Sequence, residues 1–321
     1  MSNKTNNITL PYSDRSEGAY VDFQHLASFQ LAAKHLPLEK NRKAISFLSG
    51  PYKTQIRGRG MEFEDVREYQ AGDDIRNIDW RVSARTGKAH SKIFHEEREK
   101  PVLIVVDQRQ NMFFASTTAM KSVLAADLAA YIAWAAKHKG DRVGALIFNN
   151  EDKQDIRPRN QRKTVLQILH FLSQYNQQLN GFNQAKNHSI NEALLELKRI
   201  AKPGTQIFII SDFCDIDEGS KNLLHDLAKH SEVVALQTLD TLEENLPVQG
   251  LYKASNGKQN IVLNANKKST REQYQQHFRL HQQGLEETFG KYKIPLIPIY
   301  THENPLAHLQ HYFGRGLKPA S

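Results

Sequence analysis

The sequence predicts an α/β protein built on one doubly wound, mostly parallel sheet. Two strand-like runs and the alternation around them carry that prediction. Val102 to Val106 is an unbroken, Val-rich apolar stretch ending on Asp107, and Gln206 to Ile210 ends likewise on Ser211-Asp212. Such runs read as strands buried on both faces, as parallel strands between helical layers are. From residue 101 onward helical segments separate one strand from the next, which is the pattern of repeated βαβ units.

Taken in order, residues 1–20 form a polar, Asn- and Thr-rich leader, expected to be disordered. It lacks the basic and apolar regions of a secretory signal, so the protein is expected in the cytoplasm. Residues 21–100 open with a short helix over 25–35, where Leu26, Phe29, Leu31, Ala32 and Leu36 recur at helical spacing and Pro37 ends it. The rest, dense in charge and in turns such as Gly50-Pro51 and Thr86-Gly87, reads as a charged extension packed on the core. The core itself spans 101–313. Its first strand leads to an Ala-rich helix over 116–137, with Ser116 or Thr117 as N-cap and Gly140 closing it. A strand over 143–148 follows, with a hairpin-like return to 156 and helices over 161–175 and 190–201. After the strand from Gln206 come a helix over 220–229 and a strand over 233–239. A β-hairpin insertion near 250–264 is broken by Asn256-Gly257. A helix over 269–289, a strand over 296–300 and a helix over 305–313 complete the core, and 314–321 is a frayed tail.

Composition bounds the function. With 321 residues the chain suits one large α/β domain with insertions or about two average domains. No apolar run approaches the ~18 residues that span a bilayer, so no membrane span is expected. Cys214 is the only cysteine, which excludes an internal disulfide and a cysteine-ligated zinc site. A net charge of +8 attracts acidic surfaces. With basic clusters at Arg57, Arg59 and at Arg157, Arg159, Arg162, Lys163, it makes a nucleic-acid-binding module one alternative. The chain has no Gly-x-x-x-x-Gly-Lys-Ser/Thr loop, no Gly-x-Ser-x-Gly and no His-Glu-x-x-His. His277 and His281, one turn apart on a polar helix, read as surface residues. No enzymatic activity is expected.

Asp107 and Asp212 close two central strands, at the carboxyl edge where open α/β sheets bind ligands. The region resembles the von Willebrand A domain, whose metal site reads Asp-x-Ser-x-Ser, then Thr on a second loop and Asp on a third. Here the first loop is Asp107-Gln108-Arg109-Gln110-Asn111, so Arg109 and Asn111 stand at the serine positions; the threonine position falls on His188 or Ser189, and Asp212 supplies the last carboxylate. The Arg109 guanidinium is expected to point at Asp107 and Asp212 and to bring the charge that Mg²⁺ would otherwise supply. The site is thus expected to be degenerate and free of cofactor. A weak Mg²⁺ site on Asp107, Asn111 and Asp212 is the alternative, with metal-dependent protein binding as its function. Ser189 also reads as the first residue of a capping box with Glu192.

Residues 58–85 carry Gly58, Gly60, Glu62, Phe63, Arg67, Tyr69, Gly72, Asp73, Arg76, Ile78, Asp79, Trp80, Ser83, Ala84 and Arg85 in a fixed order. This block resembles the signature of the bacterial family called domain of unknown function fifty-eight. The resemblance extends from about Leu26 to Phe313, with Arg109 and Thr241 as departures. It implies a von Willebrand A-like fold and a role as adaptor or assembly partner of a MoxR-type AAA+ ATPase acting on a client protein. Asp73, Asp74, Asp79, Glu96 and Glu97 are interleaved with Arg67, Arg76, Arg81, Arg85 and Arg98, which reads as ion-pair networks rather than acid/base pairs. Trp80 reads as a core anchor.

Overall fold

The computed structural model describes residues 14–38, 62–70, 75, 78–95, 99–179, 188–255 and 260–314. Two compact units share the chain, Met1–Pro51 with Pro101–Ser321, and Tyr52–Lys100. Most of the expected leader, the tail from 315 and the basic pair Arg57 and Arg59 lie outside the described residues.

The leader, expected to be disordered to residue 20, is tied down from Asp14. The Tyr131 hydroxyl donates to the Asp14 carbonyl at 2.6 Å, the Ser16 N–H and hydroxyl both reach Asp127 at 2.6 Å, and Gly18 bridges to Ala119. Residues 1–20 carry only scattered apolar side chains such as Ile8 and Leu10, with no periodic run, so nothing local marks where docking begins. The helix expected over 25–35 is two pieces, α1 (Phe23–Ser28) and a 3-10 turn, Ala32–His35. Asp22 starts α1 early, accepting from the Gln24 and His25 N–H groups at 3.0 and 3.3 Å. Leu26, Phe29 and Ala33 are buried, and Phe29 stacks on Tyr131 with ring centroids 4.3 Å apart.

In the smaller unit, β1 (Glu62–Glu68) and β2 (His90–His95) pair antiparallel around α2 (Trp80–Thr86). Asp79 caps that helix, accepting from the Arg81 and Val82 N–H groups at 3.1 Å each, and Gly87 ends it with φ +73°.

The larger unit carries a six-stranded sheet. Its elements are β3 (Pro101–Asp107), α3 (Lys121–His138), β4 (Arg142–Phe148), β5 (Lys153–Arg159), α4 (Arg162–Gln177), α5 (Ile190–Ile200), β6 (Gln206–Ser211), α6 (Glu218–His230), β7 (Glu232–Leu239), α7 (Thr241–Glu244), β8 (Leu251–Ser255), β9 (Asn260–Asn264), α8 (Lys268–Lys291), β10 (Leu296–Tyr300) and α9 (Pro305–Phe313). The sheet order is β10-β7-β6-β3-β4-β5, and only β5 runs antiparallel. Strand order reverses between β3 and β6, so their carboxyl ends open a crevice. β8 and β9 form the separate hairpin that the sequence predicted.

Each central strand is apolar on both faces because each face meets a helical layer. Val102, Ile104 and Val106 join α3, α4 and α9 in one core, while Leu103 and Val105 join α5, α6 and α8 in the other. Helix α3 is buried all round from Lys121 to Ala136, and its alanines let the sheet and α4 approach closely. It begins at Lys121 rather than at Ser116, which lies in the preceding loop with its N–H donating to the Asp240 carboxylate at 2.9 Å. Edge strand β5 carries exposed Lys153, Asp155, Arg157 and Arg159 with Pro158 among them, which guards that edge against further pairing.

Candidate functional site

At the switch point β3 delivers Asp107 and β6 delivers Ser211, whose hydroxyl donates to Asp107 Oδ2 at 2.7 Å. Phe213 follows in the left-handed region at φ +55°, uncommon for a bulky residue. Its ring is buried edge-on against Phe289 at 5.1 Å, which holds the turn. The turn brings both Asp212 and Asp215 to the crevice.

Two side-chain cations fill the space between these carboxylates. Arg109 grips Asp107 through Nε and Nη2 at 3.0 and 2.7 Å and Asp215 through Nη1 and Nη2 at 2.6 and 3.0 Å. It also donates to the His188 carbonyl at 3.2 Å and lies 5.4 Å over the Phe148 ring. Lys121, 1% exposed at the first residue of α3, places Nζ 2.9 Å from Asp212 and 2.6 Å from Glu243. Glu243 is held by its own capping box, Oε2 accepting from the Asp240 N–H at 3.0 Å. Asp240 in turn accepts from Ser116 N–H at 2.9 Å and the Thr301 hydroxyl at 2.6 Å, joining three strand-end loops.

The electrostatics follow from this pairing. Burial alone would lower the Lys121 pKa, but Asp212 and Glu243 outweigh it and hold the ammonium above the ordinary lysine value. Burial would raise Asp212, but Lys121, then Asn111 and Arg109, hold it well below the usual carboxylate range. Cys214 borders the cluster. Its side chain is exposed at the rim, yet partial desolvation of the sulfur, then Asp212 and Asp215, push the thiol up and away from a reactive thiolate. The inner aspartates are thus matched one to one, and the half-buried Asp215 and Glu243 leave an excess of negative charge at the rim.

Several expectations need correction here. Arg109 turns to Asp107 and Asp215, not to Asp212, which takes Lys121 instead. Asn111 presents its amide nitrogen, not its carbonyl oxygen, to Asp212, at 2.9 Å from each oxygen, because an ionised carboxylate only accepts. Ser189 precedes α5 but its side chain makes no cap; Glu192 is drawn to the His188 ring, and Asp215 accepts the Ile190 N–H at 3.2 Å. Trp80 is 70% exposed, because α2 has no buried residue to anchor it.

The other singled-out residues fall outside the cluster. Arg67 lies on β1, Tyr69 pairs its N–H with the Ala89 carbonyl at 2.8 Å, and Arg85 is exposed on α2. Gly72, Asp73, Arg76, Asp74, Glu96, Glu97 and Arg98 lie outside the described residues, so their expected ion pairs do too. Arg157, Arg159, Arg162 and Lys163 are all exposed. His277 is exposed and His281 half-buried, its pKa lowered by burial against the pull of Asp212. Lys121, Asp215 and Glu243 are the site residues that motif spacing missed. Only Glu243 had a local signal, in Asp240-Thr241-Leu242-Glu243.

A metal at Asp107, Asn111 and Asp212 does not fit this arrangement. Among the described residues no three His, Cys, Asp or Glu side chains converge as a metal-holding group, and the inner carboxylate oxygens already face cations. Among the described residues no helix is long and apolar enough to cross a membrane.

Fold and site together define a mixed α/β protein with buried ion pairs at the switch point of a mostly parallel sheet. The chain belongs to the family described as "Protein of unknown function DUF58", matched over residues 65–284. It is 27% identical over 282 residues to the uncharacterized proteins Mb1516 of Mycobacterium bovis and Rv1480 of Mycobacterium tuberculosis, covering 87% of this chain and 86% of each relative. Among solved structures it is similar to BatB from Bacteroides thetaiotaomicron, at 15% identity and a TM-score of 0.33, covering 60% of this chain and 98% of that one. Proximal thread matrix protein 1 from the mussel byssus matches at 13% identity and a TM-score of 0.32, covering 44% of this chain and 38% of that one. Likenesses at that level carry no argument.

Proposed function

We propose that this chain is a non-enzymatic, cytoplasmic protein-interaction module with a von Willebrand A-like domain and a degenerate metal-ion-dependent adhesion site. It acts as adaptor or assembly partner of a MoxR-type AAA+ ATPase on a client protein. The observation that carries the reading is the strand-end cluster, in which Arg109 and Lys121 occupy the space between Asp107, Asp212, Asp215 and Glu243. Carboxylates locked on internal cations are poor general bases, and Cys214 is held as a thiol, so the crevice supports binding better than bond making. The chain has no phosphate-binding loop, so ATP chemistry belongs to the partner. The test mixes the purified full chain with the MoxR-type ATPase from the same cell. A complex or an altered ATP turnover is expected. Absence of both, with ATP and with ADP, overturns the adaptor role.

A further inference from the structure

The segment 245–272 combines two properties seldom found together on a surface. It carries five basic residues, Lys253, Lys258, Lys267, Lys268 and Arg271, against one acidic residue, Glu272. It also exposes aliphatic side chains: Val248 is 70% exposed, Leu251 68%, Val262 68% and Ile261 55%. Isolated exposed aliphatics need no explanation, but several on one small hairpin do.

The hairpin register sorts these residues. Lys253 pairs across from Val262, so strand alternation puts Leu251, Lys253 and Val262 on one face, with Leu251 diagonal to Val262. Ile261 lies on the opposite face with the half-buried Tyr252 and Leu263. Exposed aliphatics on both faces suit a medium that surrounds the hairpin better than one flat partner. Lysine beside them discourages edge pairing with a second strand. The root is fixed: Ala265 N–H bonds the Gly250 carbonyl at 2.9 Å, Gly250 N–H bonds Asn266 at 3.2 Å, and the Arg271 guanidinium donates to the Val248 carbonyl at 3.2 Å. Lys267 and Lys268 stand exposed beside that root, with Glu272 3.6 Å from Lys268.

We infer that the β8–β9 hairpin is a docking element for an anionic lipid surface. Leu251, Ile261 and Val262 enter the headgroup layer, while Lys253, Lys267 and Lys268 meet lipid phosphates. Among the described residues β8 and β9 form a sheet of two strands, and its two open edges limit entry to that layer, because hydrocarbon would leave their backbone groups unbonded. The inference is independent of the strand-end cluster and of the ATPase reading.

The test uses the full chain in co-sedimentation with vesicles of phosphatidylcholine alone and of phosphatidylcholine with phosphatidylglycerol in a three-to-one ratio. Binding is expected on the anionic vesicles only, weakening as salt rises. The variant Lys253→Gln/Lys267→Gln/Lys268→Gln is expected to lose about 100-fold in affinity, on the basis of about five-fold for each basic residue near an anionic surface. Leu251→Ser/Val262→Ser is expected to lose binding with an unchanged thermal midpoint, since both side chains are exposed. No binding to anionic vesicles at low salt overturns the proposal, as does wild-type binding by both variants. A concentration-dependent dimer that Leu251→Ser/Val262→Ser abolishes, without any vesicle binding, gives the surface to a second copy and equally overturns it.

Discussion

Truncating the Lys121 ammonium while keeping an apolar stem, in Lys121→Met, leaves Asp212 and Glu243 with no counter-charge between them. Removing one partner of a buried pair costs about 3–5 kcal/mol, far more than a surface bridge contributes. Urea unfolding at neutral pH reads that loss; a change below about 1 kcal/mol would mean that water screens the pair. Cys214 gives a second residue-scale prediction. With its thiol pushed up by burial and by the neighbouring aspartates, it should react with iodoacetamide at neutral pH far more slowly than a free thiol. A rate equal to that of free cysteine would contradict the charge pattern drawn for the crevice. Arg109 was readable from the sequence because it stands two residues after Asp107 in a recognisable loop. Lys121 was not, since its partners lie 91 and 122 residues away along the chain. A single lysine at the start of an Ala-rich helix reads as a solvated end.

Among elements, α3 is tied to distant segments by contacts no local pattern announces. Asp240 holds Ser116 in the loop before it, and Asp127, inside the helix, holds the segment around Ser16. The Ser189 capping box failed because both its halves went elsewhere: the Glu192 carboxylate went to the His188 ring, and the Glu192 N–H to the Ser189 carbonyl rather than its hydroxyl. Strands fared better, because a run buried on both faces shows itself residue by residue in apolar, β-branched side chains. Asp127 makes an element-scale prediction. Burial raises its pKa from 3.8 to about 7, against the lowering pull of its Ser16 bonds and of Arg15. The folded form therefore keeps a proton that the unfolded chain releases. The contribution of Asp127 to stability should be greatest below about pH 4, fall as pH rises towards 7, and flatten above that. Asp127→Asn mimics the protonated group, accepting from the Ser16 N–H and donating to its hydroxyl, and should remove that slope. Thermal midpoints of both proteins across pH 4 to about 8 decide it; parallel curves would contradict the assignment.

For the whole molecule, the alternation of strands and helices was enough to predict a mostly parallel sheet with helices on both faces. It was also enough to place Asp107 and Asp212 at its carboxyl edge. Which cation stands beside which carboxylate depended on loops after three different strands, and those converge only in the folded chain. Within the segment Tyr52–Lys100, read as a charged extension, β1 and β2 pair with each other, and Trp80, read as a core anchor, is exposed.

The central claim is that Arg109 and Lys121 do the electrostatic work of a divalent ion at the strand ends. A ligand that binds only the folded state must raise the unfolding midpoint. The most direct measurement is therefore the thermal midpoint of the wild-type chain titrated with Mg²⁺ and with Mn²⁺, beside the same protein in chelator. The predicted result is one midpoint under all conditions, with Arg109→Ser less stable but able to gain a metal-dependent rise. A wild-type midpoint that climbs with metal concentration and falls back in chelator would contradict it.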